Sequence, residues 1–356
     1  MRLRDCFGHA SCVRIAAASG VALTTLLAPA ASFAQAADGR KTGVLFYTEN
    51  DDWWPDTGTD KDYTNGFRLT IDRNSDSFRL HRWKIFEKWV PAYGSCHVAQ
   101  PAQKKCISSA FHFGQQFYTP DDISIRELIP NDWPYAGWLY VGGSWRAASI
   151  NQAVISDAYV GFTGKPSLGR EVQTQWHKIV SATKPEGWDN QIGTRLGINV
   201  AHSRHWAVKD LMRDGRRWLE VTPFVGGNAG NIMVDGYAGG RVKLGYNITR
   251  DWTHSAIGPA AISPRALERE GTKQSNFEAF ISVDGRGRVV PYNVFLDAAE
   301  HHTIHRRHAI GEMAVGVGIR VSRFMFTYRV AKISKEYDEA LTHHEFKALR
   351  FAVLVR

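Results

Sequence analysis

The sequence predicts an all-β protein: a transmembrane, antiparallel, up-and-down β-barrel of about twelve strands, with one loop helix near the mouth of its lumen. Three observations predict it. Segments of alternating apolar and polar residues recur along most of the chain. Tryptophan and tyrosine are plentiful, 12 of each in 356 residues, which suits the aromatic girdles of a membrane barrel. The chain also opens in the manner of an exported protein. A secreted β-sandwich, whose strands alternate too, is the competing architecture.

The N-terminus, MRLRDCFGHASCVR, carries three arginines and runs into IAAASGVALTTLLAPAASFAQA, which ends in small residues cleavable after Ala34 or Ala36. Residues 1–36 therefore read as a signal peptide and 37–356 as one barrel domain. An uncleaved anchor fits less well, because the apolar part is short and Pro29 interrupts it. Losing Arg2, Arg4, Arg14 and Asp5 with the leader lowers the formal charge from +9 to +7. A basic surface favours an acidic partner, and export argues against nucleic acid. Cys6 and Cys12 leave with the leader. Cys96 and Cys106, in GSCHVAQPAQKKC, read as a loop disulfide worth about 2–3 kcal/mol; for a metal site, only His97 lies nearby and no CxxC spacing exists.

The first strand is the apolar run Gly43 to Tyr47, which ends in TENDDWW, residues 48 to 54. Next, Phe67, Leu69 and Ile71 alternate with Arg68, Thr70 and Asp72, and Phe111, Phe113 and Phe117 share one parity against His112, Gly114 and Gln116. Side chains of a strand point to opposite faces with period two, so each segment has an apolar and a polar or small face. Leu219 to Val225, Ala238 to Ile248, Phe277 to Val283 and Leu349 to Val355 repeat the pattern. In AVGVGIRVSRFMFTYRV the apolar parity switches from odd (Val315 to Val321) to even (Phe324 to Val330), as a two-residue turn at Ser322-Arg323 requires. The other face, with Arg68, Asp72, Arg241, Lys243, Arg320 and Arg350, is too charged for a dry core and suits a wet lumen or the outer surface of a sandwich. The terminal Arg356 stands where outer-membrane barrels usually end in an aromatic residue.

The exception to the β pattern is residues 169–191, where Val172, Trp176, Ile179 and Val180 recur at helical spacing until Pro185 and Gly187. Gln173 and His177 are four apart on one face. Laying the apolar stripe back over the lumen would bring His177 to the polar inner wall.

TENDDWW, DYTNGFR (62–68), FYTPDD (117–122), WPYAGWLY (133–140), EVQTQWHKIV (171–180), GWDNQI (187–192) and YNVFLD (292–297) occur in an order that resembles the outer-membrane lipid A 3′-O-deacylases. The resemblance covers nearly the whole chain after the leader. It implies a twelve-stranded barrel in the bacterial outer membrane, with a site toward the outer leaflet between the inner wall and a loop helix. It also implies calcium-dependent hydrolysis of the 3′ acyl ester of lipid A. Partners would be lipopolysaccharide and outer-membrane lipids, with no nucleic acid, and the chain would act as a monomer. The family's histidine falls on His177, the glutamine before it on Gln173, the Asn-Asp pair on Asn50 and Asp51, and the wall hydroxyl on Thr64.

These residue types suit ester hydrolysis. No G-x-S-x-G elbow exists, so a serine acyl-enzyme has no support. A neutral imidazole at His177 can take a proton from water near neutral pH. Calcium prefers oxygen ligands, and Asp51 with Asn50 and Thr64 offers them, as metal ligands or as oxyanion donors. The family pattern carries an acid six positions after the histidine; here that place holds Thr183, with Glu186 three residues on. A barrel without enzyme activity, a channel or surface structure, is the other functional class. AEHHTIHRRH (His301, His302, His305, His308) reads as a solvated loop, and GGNAGN at 226–231 as a hairpin turn.

Overall fold

A computed structural model describes residues 42–51, 62–73, 94–95, 106–148, 151–250, 252 and 277–355. The predicted leader, Cys96 and hence the predicted disulfide, Trp53, Trp54 and Arg356 lie outside the described residues.

Alternation produces twelve long strands: β1 Thr42–Asn50, β2 Asp62–Arg73, β3 Cys106–Thr119, β4 Ala136–Ala148, β5 Gln152–Thr163 and β6 Leu196–Trp206. They continue as β7 Arg216–Gly230, β8 Met233–Tyr246, β9 Phe277–Asn293, β10 Ala309–Val321, β11 Phe324–Ile333 and β12 His344–Val355. Each pairs antiparallel with its sequence neighbour. β1 also pairs with β12, from Thr42↔Val355 to Asn50↔Lys347, so the sheet closes on itself and no long edge remains. This is the predicted barrel and not a sandwich. Val321 pairs with Phe324 across the expected turn, where Ser322 takes a positive φ of 54°. Two short strands sit beside the barrel path: Gly94–Ser95, parallel to the start of β3, and Lys209–Arg213, against β7.

One parity faces inward and is charged. Burying those charges is tolerable only because they pair. Glu278 accepts from Arg320 (3.0 Å) and from the backbone and hydroxyl of Thr249 (2.9 and 2.7 Å), while Arg286 meets Glu312 (2.6 Å) and Arg288 meets Asp235 (2.7 Å). The charged face expected to suit a wet lumen is thus paired between neighbouring strands along the inner wall.

The other parity faces outward and is apolar, with Phe111, Phe113, Val141, Val160, Val315 and Ile319 among its exposed residues. At the end distant from Thr42 and Val355, loops dip inside. Trp133 and Phe295 both stack on Tyr118 (centroids 5.2 and 4.5 Å), and Tyr337 donates to Asp132 (2.8 Å) and Asp62 (3.3 Å). Burial raises the carboxyl pKa of Asp132 above its ordinary value. With Tyr63, Trp138, Tyr140 and Phe346 these residues form an apolar plug that fills the mouth.

Candidate active site

The predicted helix forms as α1, Gly169–Val180. It ends earlier than the periodicity suggests, because Ser181 turns left-handed (φ 61°) and the Ala182 N–H caps the His177 carbonyl at 2.9 Å.

Its position differs from the expectation. α1 flanks the mouth on the outer side of the wall, against β3 and β4, and does not fold over the lumen. Gln115 and Phe117 of β3 share the outward parity of exposed Phe111 and Phe113, yet both are buried. The Gln115 amide donates to the Ser167 carbonyl at 2.5 Å, and Phe117 meets Trp188 edge-on at 6.2 Å. Gly169 lets Trp188 wedge between helix and wall; a Cβ there would stand 2.5 Å from the indole. Two physical reasons account for the difference. The aromatic plug already occupies the mouth, and lipid outside the wall removes the drive to hide an apolar stripe.

The helix accordingly buries its polar stripe, Gly169, Gln173 and His177, and leaves Leu168, Val172 and Ile179 exposed. Trp188 Nε1 donates to Gln173 Oε1 at 2.7 Å, which fixes the amide. His177, 6% exposed, has Nδ1 against the Thr183 carbonyl. A carbonyl only accepts, so Nδ1 carries the proton and Nε2 is the basic nitrogen of the neutral ring. Thr183 therefore acts here through its backbone.

Thr64 is the second correction. Parity with Arg68 and Thr70 places it in the lumen, but β2 carries a bulge: Tyr63 pairs with Tyr118 and Asn65 with Phe117, leaving Thr64 as the extra residue. A bulge puts two residues opposite one and resets the facing. Tyr63 thereby turns inward, where it packs on Tyr118 and Phe346, and the Thr64 hydroxyl meets the hydroxyl of Thr119 at 2.6 Å. Thr119 has the outward parity of Phe111 and Phe113.

Asn50 pairs with Asn65 on the same outer side, and its amide donates to the Thr64 carbonyl at 3.1 Å. The Asp51 N–H reaches that carbonyl at 3.3 Å. Asn50, Asp51 and Thr64 are thus joined by hydrogen bonds, while Gln173 and His177 share the buried face of α1. Both sets border β3, whose Thr119 bonds to Thr64 and whose Gln115 and Phe117 contact the helical segment.

Lys347 escaped sequence reasoning. It is the register partner of Asn50, has outward parity in β12, is 5% exposed, and places its ammonium on the Asp51 carbonyl at 2.9 Å. The available signal was a lysine at an apolar-parity position of a barrel strand, where a charge is costly without a function.

Calcium takes six to eight oxygens, commonly from several carboxylates. Asp51 brings a carboxylate and Asn50 and Thr64 bring neutral oxygens, while the Lys347 ammonium lies 4.0 Å from the Glu345 carboxylate, so among the described residues these three would hold a cation in part. The Asn50 amide N–H goes to the Thr64 carbonyl, and an amide binds calcium through its oxygen; no cluster of three acidic, histidine or cysteine side chains occurs among the described residues. Asp52 lies outside them. Around the helix, Arg170 pairs with Asp189, and Lys184 bonds Glu186 at 2.6 Å, holding its carboxyl below the ordinary range. In the histidine-rich loop, His305 bonds Glu339 at 2.5 Å.

Among solved structures, LpxR from Salmonella typhimurium matches with a TM-score of 0.68 at 18% identity, covering 87% of this chain and 99% of that one. The translocator domain of the autotransporter NalP from Neisseria meningitidis gives 0.41 at 8% identity, covering 98% and 100%. The β domain of the Bordetella autotransporter BrkA gives 0.39 at 8% identity, covering 88% and 98%. No curated protein sequence matches. A family model described as outer membrane protein LpxR matches residues 20–355, and the chain therefore belongs to the LpxR family of outer-membrane proteins.

Proposed function

We propose that the chain is an outer-membrane hydrolase that removes the 3′ ester-linked acyl chain of lipid A, with its site toward the outer leaflet, acting as a monomer. One observation carries the reading. A polar patch of Asn50, Thr64, Thr119 and Lys347 sits at outward positions where a barrel in lipid needs apolar residues, and the helix beside it buries an imidazole and an amide. Family membership and the ordered motifs support the same substrate.

In this reading His177 Nε2 takes a proton from water as the water oxygen attacks the acyl carbonyl carbon. Negative charge gathers on the carbonyl oxygen. The Lys347 ammonium and the Thr64 hydroxyl hold it in this reading, with Asn50 and Asp51 fixing their positions. Collapse breaks the bond between the acyl carbon and the sugar oxygen, and the imidazolium returns its proton to that oxygen. A fatty acid and a free sugar hydroxyl leave. Gln173, pinned by Trp188, orients the substrate or the ring.

Mass spectrometry of lipid A from cells expressing wild type and His177→Ala tests this. The wild type should remove one acyl chain and the variant should not, with both barrels folded. An unchanged acyl pattern in wild-type cells, with calcium supplied, would defeat the proposal. Chelator treatment separates two ways of holding the negative charge: activity that is lost and restored by added calcium would assign the cation to Asp51 with Asn50 and Thr64, and activity that is kept would assign the charge to Lys347 and Thr64 alone.

A further inference from the structure

The helix α1 has three faces instead of two. Plotted at 100° per residue, Gly169, Gln173 and His177 form the face against the wall. Arg170, Glu171, Thr174, Gln175 and Lys178 form a polar face. Leu168, Val172, Trp176 and Ile179 form the third; Trp176 is half-buried, and the rest is open, with Val172 38% and Ile179 60% exposed. A loop helix in water would bury that stripe and expose the glutamine and histidine; this one does the reverse.

The open stripe continues an apolar surface already present. Phe162, at the end of β5, and Leu196, opening β6, are register partners and both exposed, and they bracket the segment that carries α1. Below the helix the outer wall shows Phe111, Phe113 and Val141. The belt that faces lipid therefore rises to the helix and runs onto it.

We propose that α1 lies in the membrane boundary, with Leu168, Val172, Trp176 and Ile179 immersed in the acyl chains of bilayer lipid and Lys178 at the headgroups. The charged face of the helix points to water and the apolar face to hydrocarbon, an arrangement that fixes the depth of an interfacial helix. The crevice beside Gln173 and His177 then opens where lipid esters lie, so a lipid ester reaches it without leaving the bilayer. That last step rests on the hydrolase reading; the immersion of the helix does not.

Nitroxide labels at Val172→Cys, Ile179→Cys and Lys178→Cys, in the full barrel in lipopolysaccharide-containing vesicles, test the placement. Labels at 172 and 179 should be relaxed by dissolved oxygen more than by a water-soluble nickel chelate, and the label at 178 the other way round. Water-like values at all three would overturn the proposal. So would label-to-label broadening at 172 and 179 that grows with protein density, since a second copy would then cover the stripe. The doubly substituted Val172→Glu/Ile179→Glu chain should lose deacylation of lipid A in vesicles and keep it in detergent micelles; equal activity in both would count against delivery at that depth. Should wild type deacylate nothing, the hydrolase reading fails, while the label pattern still decides the immersion.

Discussion

Two stretches of β3 share an outer face and little else. Phe111 is 53% exposed on the outside of the barrel, while Gln115, four residues along on the same parity, is 1% exposed and bonds to the segment leading into α1. The lower stretch shows what the outside of a barrel looks like when the bilayer is its only neighbour. The upper stretch shows what it becomes when a helix replaces lipid: polar side chains become affordable because protein donors and acceptors satisfy them. Strand parity tells which face a residue is on, and the cover on that face tells what chemistry it can carry.

Several substitutions would break or sharpen this contrast. The largest effect is expected from His177→Ala, which should lower deacylation by about 10²–10⁴-fold, the usual worth of a positioned general base, with the folded band on a heat-modifiability gel unchanged. Lys347→Met keeps the volume and removes the charge. It should cost about 10²–10³-fold in kcat with little change in KM, the signature of a group that acts on developing charge. Phe111→Lys tests the lower stretch, and urea unfolding in vesicles should show a loss of about 2 kcal/mol, as for a cation placed in the lipid belt. Trp188→Phe deletes the hydrogen bond to Gln173; a rise in KM equivalent to about 1 kcal/mol is expected, with kcat nearly kept.

The smallest effect concerns the loop pair His305 and Glu339. The hydrogen bond to Glu339 raises the His305 pKa above its ordinary value. A raised folded-state pKa contributes stability that is complete below about 6.5, the unfolded value. That contribution fades as pH rises through the folded value. Thermal melts of wild type and Glu339→Gln should therefore converge on going from acid to alkaline pH.

Much of this was legible in the sequence. The phase switch at Ser322-Arg323 located a turn to the residue, and the alternation around Phe111 and Phe113 identified a lipid-facing wall. The Gln173 and His177 pair was placed correctly on one helix face. What parity could not reveal was the extra residue at Thr64, because one inserted position shifts the facing without disturbing composition. The side of the wall on which α1 docks was also misread. An apolar stripe reads as a buried one only if water is the surroundings, and here lipid is. Lys347 went unnoticed because its meaning depends on a partner, Asp51, nearly three hundred residues earlier. That proximity exists only once β12 closes on β1.

The bulge at Thr64 carries one more implication. In a strand, gaining or losing a single codon exchanges inside for outside beyond that point. A hydroxyl that once lined a passive pore can therefore be handed to the bilayer side by one small genetic event, with the hoop of strands left intact. The reverse event, loss of Tyr63 beside it, would remove the bulge and hand the hydroxyl back.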